Sequence, residues 1–475
     1  MRILLVQPES TEDVNKEFLS LQYPINLGYI ASSLITAGHE VEMIDLNVLE
    51  HKKLLEKIKK FKPEIVGVTS MTPNIYLAQK AIQESKSENK KIKTLLGGVH
   101  ASALPEETMK MIKELDYLVF GEGEETIKEL AEKLEKKQSV NNVKGILYRS
   151  KGRIIKNAPR PLIKNLDSIP FPERDLLPMD LYTKHHVSRG FSRENMKIME
   201  ILTSRGCPNQ CIFCAGHINY GHSLRFRSYE NIIQEINECI RKYKITHVSI
   251  EDDTFTINKE LVKKLCNFFK NKKLTWNCNA RVNTVNYEIL KLMKESGCKK
   301  ISFGVESGSE KILKLIKKGI TIPQVKKAVS DAKKAGIRYV ECTFMIGSHP
   351  DETMEDIEKT IKLMHELMPD FLAFSVMCPF PGTEVYNMMK KRKLLMNNPD
   401  WSQFSLFGNL KRYEKLTNMT SDEMINLQIK VLKDYYKTPK YVLSQLLKIR
   451  TLDEIKYFTK MGILYVKELM LGKKS

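Results

Sequence analysis

The sequence predicts an α/β chain: a doubly wound, Rossmann-like open sheet, then a partial (β/α)6 barrel of TIM type, then a helical tail. Three observations carry this. Short β-rich runs alternate with amphipathic helical stretches twice, on either side of a proline-rich passage. Several strands of the second run have one apolar and one polar face. And 475 residues exceed what one hydrophobic core usually serves, at roughly 100 to 200 residues per domain.

The first alternation runs RILLVQP, a helix near NLGYIASSLITAG, HEVEMIDLN, EIVGVTS, KIKTLLGGV and DYLVFGEG, each strand followed by a helical pattern. That is a domain of about five βα units over residues 1–140. GILYRSKGRIIKN reads as a hairpin turning at SKG. With the prolines from Pro159 to Pro178 it forms a linker over 141–197 that packs across the domain junction.

Six further units follow over residues 198–395, with strands at MEILTSRG, HVSIEDD, LTWNCNARV, KKISFGVES, RYVECTFMIG and FLAFSVMCP. Six units in a row fit either a second open sheet or an incomplete barrel, and the strand faces favour the barrel. Leu274, Trp276 and Cys278 alternate with Thr275, Asn277 and Asn279; Ile301, Phe303 and Val305 with Ser302, Gly304 and Glu306; Val340, Cys342, Phe344 and Ile346 with Glu341, Thr343 and Met345. A packed barrel interior would be aliphatic on both strand faces. A polar inner face therefore implies an open lumen that holds a ligand. Residues 396–475 read as a smaller helical module, basic and aromatic, whose apolar residues pack on the barrel. A basic amphipathic helix also suits peripheral membrane contact.

Composition excludes several classes. Hydrophobic residues at 42% and charged residues at 28% are ordinary for a chain with a substantial core, which rules out general disorder. No apolar run approaches the roughly 20 residues of a bilayer span. MRILLVQPES lacks a secretory cleavage site and reads as a first strand, so a cytoplasmic location is expected. The net charge of +20 is a lysine-rich bias without a compact arginine patch, so no nucleic acid partner is expected.

TSRGCPNQCIFCAG places Cys207, Cys211 and Cys214 within eight residues at the end of the first barrel strand, where catalytic groups of such folds collect. Zinc would want four tetrahedral ligands, and no second CxxC exists in the chain. Three thiolates can instead hold three irons of a 4Fe-4S cluster and leave the fourth open for a substrate or cofactor. The other six cysteines stand singly among apolar neighbours, as buried free thiols do.

The C-x3-C-x2-C motif, with Phe213 before its last cysteine, resembles the signature of the radical SAM enzymes. HVSIEDDTF, ISFGVESGSEKILKLIKKGIT and ECTFMIGSHPDET resemble that superfamily's second, fourth and fifth strands, so the likeness covers most of residues 199–390. It implies that the open iron binds the amino and carboxylate groups of S-adenosylmethionine (SAM) and that the reduced cluster cleaves SAM to a 5′-deoxyadenosyl radical. Glu306 and Ser307 match positions that contact the methionine or ribose part, and Phe213 would lie against adenine. Glu251, Asp253, Asn279 and Gly304 are further lumen candidates for cofactor binding, with Arg281 and Glu341 as candidate catalytic groups. Asp252, Arg281 and Glu341 have a plain alternative, since strand-end carboxylates cap helices and Arg281 could simply pair with one of them.

In the first domain, QYPINLGYIASSLITAGHEVEMID, GVTSMT, GGVHAS and GEGE resemble the cobalamin-binding domain of the B12-dependent radical SAM class. Ser70, Thr72, Gly97, Gly98, His100, Gly121 and Gly123 are the candidate contacts, His100 being equally suited to helix entry. The D-x-H-x-x-G motif of many B12 domains is missing, and the earliest histidine is His39, so cobalt would lack a ligand from that motif. The resemblance implies a methyltransferase acting at an unactivated carbon of a small-molecule or lipid-like substrate, with one SAM methylating cobalamin and another yielding the radical. An external electron donor of flavodoxin or ferredoxin type is implied too. The alternatives are an oxidative cyclase or rearrangement enzyme with the same cofactors, an RNA-modifying radical SAM enzyme, and a non-catalytic metal-binding protein.

Overall fold

The computed structural model describes residues 1–10, 21–185, 196–396, 398–405, 417, 419–449, 455 and 459. Its N-terminal unit comprises β1 (Arg2–Gln7), α1 (Ile25–Thr36), β2 (Glu40–Asp45), α2 (Lys53–Phe61), β3 (Ile65–Thr69), α3 (Ile75–Glu88), β4 (Lys93–Gly97), α4 (Val99–Ala103), α5 (Pro105–Met111), β5 (Tyr117–Val119), α6 (Glu124–Glu135), β6 (Ile146–Ser150) and β7 (Arg153–Lys156). The sheet order is β2-β1-β3-β4-β5-β6-β7, parallel through β5. Ile3, Leu4, Leu5 and Val6 are all buried, the mark of a strand with both faces covered. The order reverses at β1 and β3, where open sheets bind ligands beyond their carboxyl ends.

One boundary differs from the sequence reading. The hairpin expected in the linker joins this sheet, with β6 antiparallel to β5 through Tyr117↔Tyr148 and Val119↔Ile146. The N-terminal unit thus extends past residue 140 to Lys156. A three-residue β5 left at the edge would expose unpaired backbone, and Ile146 and Leu147 would lose their buried places. The linker then crosses the junction: Glu173 accepts a hydrogen bond from Tyr23 through its carbonyl, Tyr182 of α7 (Met179–His185) donates to Asp45 at 2.8 Å, and buried Arg174 pairs with Glu235 at 2.6 Å.

The second unit comprises β8 (Ile198–Ile201), β9 (Ser204–Arg205), α8 (His217–Tyr220), β10 (Arg225–Phe226), α9 (Tyr229–Tyr243), β11 (His247–Ile250), α10 (Lys259–Lys272), β12 (Thr275–Ala280), α11 (Tyr287–Glu295), β13 (Cys298–Glu306), α12 (Glu310–Leu315), α13 (Ile322–Lys334), β14 (Tyr339–Ile346), α14 (Met354–Leu367), β15 (Phe371–Val376) and α15 (Glu384–Lys391). Six strands lie in the order β15-β14-β13-β12-β11-β8, all parallel, an arc of (β/α)6 barrel. The outer strand faces meet the helices: Trp276 is fully buried and stacks on Phe269 of α10.

The polar inner face, expected to line an open lumen, is open in its carboxyl half and closed in its amino half. Its amino half is filled by side chains that satisfy one another: His247 bonds Thr275 at 2.8 Å and Asn277 at 2.6 Å, Asn277 donates to Ser249 at 2.9 Å, and Lys300 pairs with Glu341 at 3.2 Å. The carboxyl half stays accessible, with Asn279 exposed and Gly304 and Thr343 half-buried. The free edge at β15 is covered by α16 (Ser421–Lys437) and α17 (Pro439–Leu446): Gln428 donates to the Phe374 carbonyl at 2.6 Å and Tyr435 to that of Pro369. Val442, Leu443, Leu446 and Leu447 remain exposed. Among the described residues no helix is long and apolar enough to cross a membrane. The amphipathic stretch TKMGILYVKELML lies, apart from Thr459, outside the described residues.

Candidate active site at the domain junction

The loop leaving β8 carries the three cysteines at the carboxyl edge of the barrel. Two features hold it. Asp252, buried beyond β11, accepts hydrogen bonds from the Thr203 N–H (2.6 Å), the Ser204 hydroxyl (2.6 Å) and the Thr203 hydroxyl. Burial raises its carboxyl above the ordinary range and these donors pull it back. Asp252 is therefore spent on bracing the loop. Gly206 turns the chain at φ +86°, where a Cβ would come within 2.4 Å of the Ser223 carbonyl oxygen.

Cys207, Cys211 and Cys214 are half-buried free cysteines, and each sulfur meets its own nitrogen donor. Asn209 Nδ2 lies 3.2 Å from Cys207 Sγ, Arg281 Nη1 3.9 Å from Cys211 Sγ, and the Gly216 N–H 3.4 Å from Cys214 Sγ. Donors of this kind can also hydrogen-bond sulfur once it is bound to a cluster iron. Burial, with the Gly216 N–H acting against it, pushes the Cys214 thiol up to about 11, so the charge of a bound metal is what would remove its proton. Among the described residues no three His, Cys, Asp or Glu side chains lie close enough to share one metal ion. Zinc would draw its thiolates to roughly 3.8 Å apart, whereas a 4Fe-4S cluster seats each thiolate on a separate iron. The donor set fits the cluster.

Beside the cysteines lies a second charged pair. The β13–β14 register shifts between Gly304 and Glu306, and Glu306 takes φ +70°, a bulge that re-aims its side chain. Its carboxylate meets Lys318 Nζ at 2.7 Å, both side chains being buried, and Lys318 Nζ stands 6.0 Å from the Phe213 ring centre. A Cβ on Gly304 would fall 2.7 Å from both charged atoms, so glycine is what lets the pair cross the strand. Arg281 donates to the Lys318 carbonyl as well as reaching Cys211. Asp253 approaches the same loop, its Oδ2 3.4 Å from where a Gly216 Cβ would stand. A carboxylate, an ammonium, an aromatic face and an accessible strand end suit a zwitterionic amino acid joined to a nucleoside, as SAM is.

Not every expected residue joins this group. Glu341 sits in the filled amino half, paired with Lys300, because its place near the start of β14 puts it at the closed end of the lumen. It is not positioned as a catalytic group. Ser307 turns outward, its hydroxyl 3.2 Å from that of Thr360 and accepting from the Ser309 N–H, since the bulge reverses strand parity after Glu306. Glu251 accepts from Ser249 inside the lumen.

At the carboxyl edge of the first sheet, Gly97 and Gly121 present backbone with almost nothing in front of it: a Cβ on Gly121 would have no atom within 4 Å, and one on Gly97 only the Val119 carbonyl oxygen at 4.0 Å. Gly98, at φ +100°, passes so close to Ser70 that a Cβ would come within 2.3 Å of its carbonyl oxygen. Such a bare backbone ledge fits a flat macrocycle. Ser70, Thr72 and His100 are buried and bonded within this edge: the Ser70 hydroxyl donates to the Gly97 carbonyl at 3.0 Å, and His100 bonds the Thr72 hydroxyl at 3.2 Å and packs on Trp401. Burial pushes the His100 imidazole down to about 4. His39 opens β2 at the opposite edge, beside the Met1 amino group. A Cβ on Gly123 would press on Ile30, so that glycine serves helix packing.

Sequence reasoning missed the residues that join the two edges. Glu122 and Glu124, inside GEGE, are buried against Arg205 of β9 at 3.1 and 2.5 Å, and Glu122 also meets Arg225 of β10 at 2.8 Å. The glycines of that motif drew attention to ligand approach, and no sequence signal pairs its glutamates with arginines about 80 and 100 residues away. Lys318 was equally invisible among 77 basic residues.

Residues 201–364 match the Radical SAM superfamily, and residues 12–131 match the B12 binding domain. A protein of Pyrococcus horikoshii named as an uncharacterized methyltransferase is 35% identical over 450 residues, covering 94% of this chain and 95% of its own. The chain belongs to the cobalamin-dependent radical SAM family. It is an enzyme of that family, whose cofactors are a 4Fe-4S cluster, SAM and cobalamin. The anaerobic magnesium-protoporphyrin IX monomethyl ester cyclase of Cereibacter sphaeroides is 26% identical, over 88% of this chain and 68% of its own. The solved structure of OxsB, described as a cobalamin-dependent S-adenosylmethionine radical enzyme with aqua-cobalamin and SAM bound, superposes with a TM-score of 0.75 at 19% identity, over 98% of this chain and 71% of its own, and supports the fold. By their chemistry the three cysteines are the residues that would hold the cluster, and the backbone at Gly97, Gly98 and Gly121 is what would support cobalamin.

Proposed function

We propose that this protein is a cobalamin-dependent radical SAM methyltransferase acting at an unactivated carbon of a small-molecule substrate. The observation that carries the reading is the bonding of the first domain's ledge to the cluster loop: Glu122 lies next to Gly121, and its partner Arg205 lies two residues before Cys207. Both cofactor edges are thereby held together at one junction. When bound, the cluster and SAM supply a radical that removes a substrate hydrogen, and cobalamin supplies the methyl group. The chain's share is positional and electrostatic. Glu306 and Lys318 offer complementary charges to the amino and carboxylate groups of SAM, Phe213 an adenine face, and Asn279 and Asp253 polar groups at the lumen mouth. The relative from Pyrococcus horikoshii, similar over nearly the whole chain, favours methyl transfer.

The cyclase relative favours ring formation with the same cofactors as a second reading. A lipid-like substrate, with peripheral membrane contact through exposed Leu443, Leu446 and Leu447, and a flavodoxin- or ferredoxin-type donor belong to the same proposal, as does a cytoplasmic location, where reduced thiols persist. The deciding experiment is anaerobic turnover with methyl-labelled SAM and candidate substrates. A product heavier by one methylene unit and carrying the label is expected, and product without label overturns methyl transfer.

A further inference from the structure

Four buried charges join the two cofactor-bearing loops, and the proposed chemistry does not consume them. Arg205 and Arg225 are directly opposed on the β9–β10 pair, where like charges repel. Glu122, from the other domain, bridges them at 3.1 and 2.8 Å, and Glu124 adds a second carboxylate to Arg205 at 2.5 Å. The four side chains are only 3–8% exposed. The Arg205 guanidinium also lies between the rings of Tyr29 of α1 and Tyr220 of α8, 5.0 and 5.1 Å from their centres. Arg225 donates further to the carbonyls of Ile163 in the linker, at 2.6 Å, and of Tyr220, at 3.0 Å.

Two cations and two anions make the quartet neutral. A buried ion pair gives little stability over apolar packing, while the planar guanidinium fork demands a defined approach of its carboxylate. What such a network provides at a junction is geometry. Its two ends touch the places where spacing matters: Glu122 stands between Gly121 and Gly123, and Arg205 is separated from Cys207 by Gly206 alone.

We infer that Glu122, Glu124, Arg205 and Arg225 are positioning residues that set the distance between the cobalamin ledge and the cluster loop. The inference rests on the cofactors of the proposed function but not on methyl transfer.

The test uses the full chain, purified anaerobically with both cofactors, as E122Q, E124Q and R225K. Iron and corrinoid per chain identify which variants are folded and loaded. The separation between cob(II)alamin and the reduced cluster is then read by pulsed electron paramagnetic resonance. The wild type should give one narrow distance, and E122Q a broadened or displaced one at unchanged cofactor content. Product should fall by about 10- to 100-fold while 5′-deoxyadenosine release persists, as misplacement on the order of 1 Å implies. If E122Q loses a cofactor, E124Q and R225K decide, because each leaves Glu122 on Arg205. An unchanged distance distribution in the loaded variants overturns the inference, whereas unlabelled product in the methyl assay would overturn only the reaction assigned above.

Discussion

Replacing Lys318 by methionine tests the charged pair beside the cysteines. Lys318 Nζ lies 2.7 Å from Glu306 Oε1, with side chains 7% and 9% exposed. Methionine keeps most of the length but removes the ammonium, leaving a buried carboxylate without its counter-charge. Removing one partner of a buried pair costs about 3–5 kcal/mol. The low end applies, because the pair borders the accessible half of the lumen and water can reach the carboxylate: about 3 kcal/mol, roughly a 150-fold change in an equilibrium constant. Fluorescence can isolate the barrel. The chain has two tryptophans, and in a Trp401→Phe background the remaining one, Trp276, is buried between Phe255 and Phe269 in the barrel wall. Urea titration of that protein should lose about 3 kcal/mol on K318M and recover to within about 1 kcal/mol when E306Q is added, since replacing both partners of a buried pair is close to neutral. A single substitution costing under about 1 kcal/mol, or a double as costly as the single, would refute the coupling of these residues.

Cys211→Ala should abolish iron binding, measured as iron and sulfide per chain, while corrinoid stays at the wild-type level because the ledge belongs to the other sheet. Gly98→Ala should act in reverse: at φ +100° and ψ 179° the backbone lies in a region essentially reserved for glycine, which costs of order 1–3 kcal/mol for another residue, and a Cβ 2.3 Å from the Ser70 carbonyl oxygen adds to it, so corrinoid content drops with iron retained. Glu352, buried in the loop after β14, has its carboxyl raised from 4.5 to about 7 by burial, against hydrogen bonds from the Ser348 and Gly347 N–H groups. Its protonated form is the one that folding favours, so its contribution is full below about pH 4.5 and is lost as pH rises to about 7. The difference between pH 4.5 and 8 should be of order 3 kcal/mol in the wild type beyond that in E352Q, read by urea titration, and parallel pH profiles would contradict the assignment.

Much of the architecture was legible because it depends on local pattern. Strand–helix alternation, apolar faces such as Trp276 and Cys278, and the absence of a second cysteine pair are properties of neighbouring residues, and they marked two α/β units and the position of the cluster loop. The likeness of ISFGVESGSEKILKLIKKGIT to a known strand led to Glu306 in the same way. Errors came where the outcome depended on distant partners. The hairpin at residues 146–156 was visible, but not that β5 needed it to cover an edge. Alternation along β14 put Glu341 on the inner face correctly and could not show that this end of the lumen is closed by Lys300.

By itself, then, the sequence determined which segments become strands, which thiols stand together and which loops carry backbone free of side chains, because spacing along a chain settles those. The folded structure decided how charges are matched. Glu122 and Glu124 meet Arg205 and Arg225, Lys318 meets Glu306, and Asp252 meets Thr203 and Ser204. Each partner is chosen by long-range packing, since a charge removed from water must be neutralised by whatever the tertiary fold brings within reach, and that choice leaves no periodic trace in the sequence.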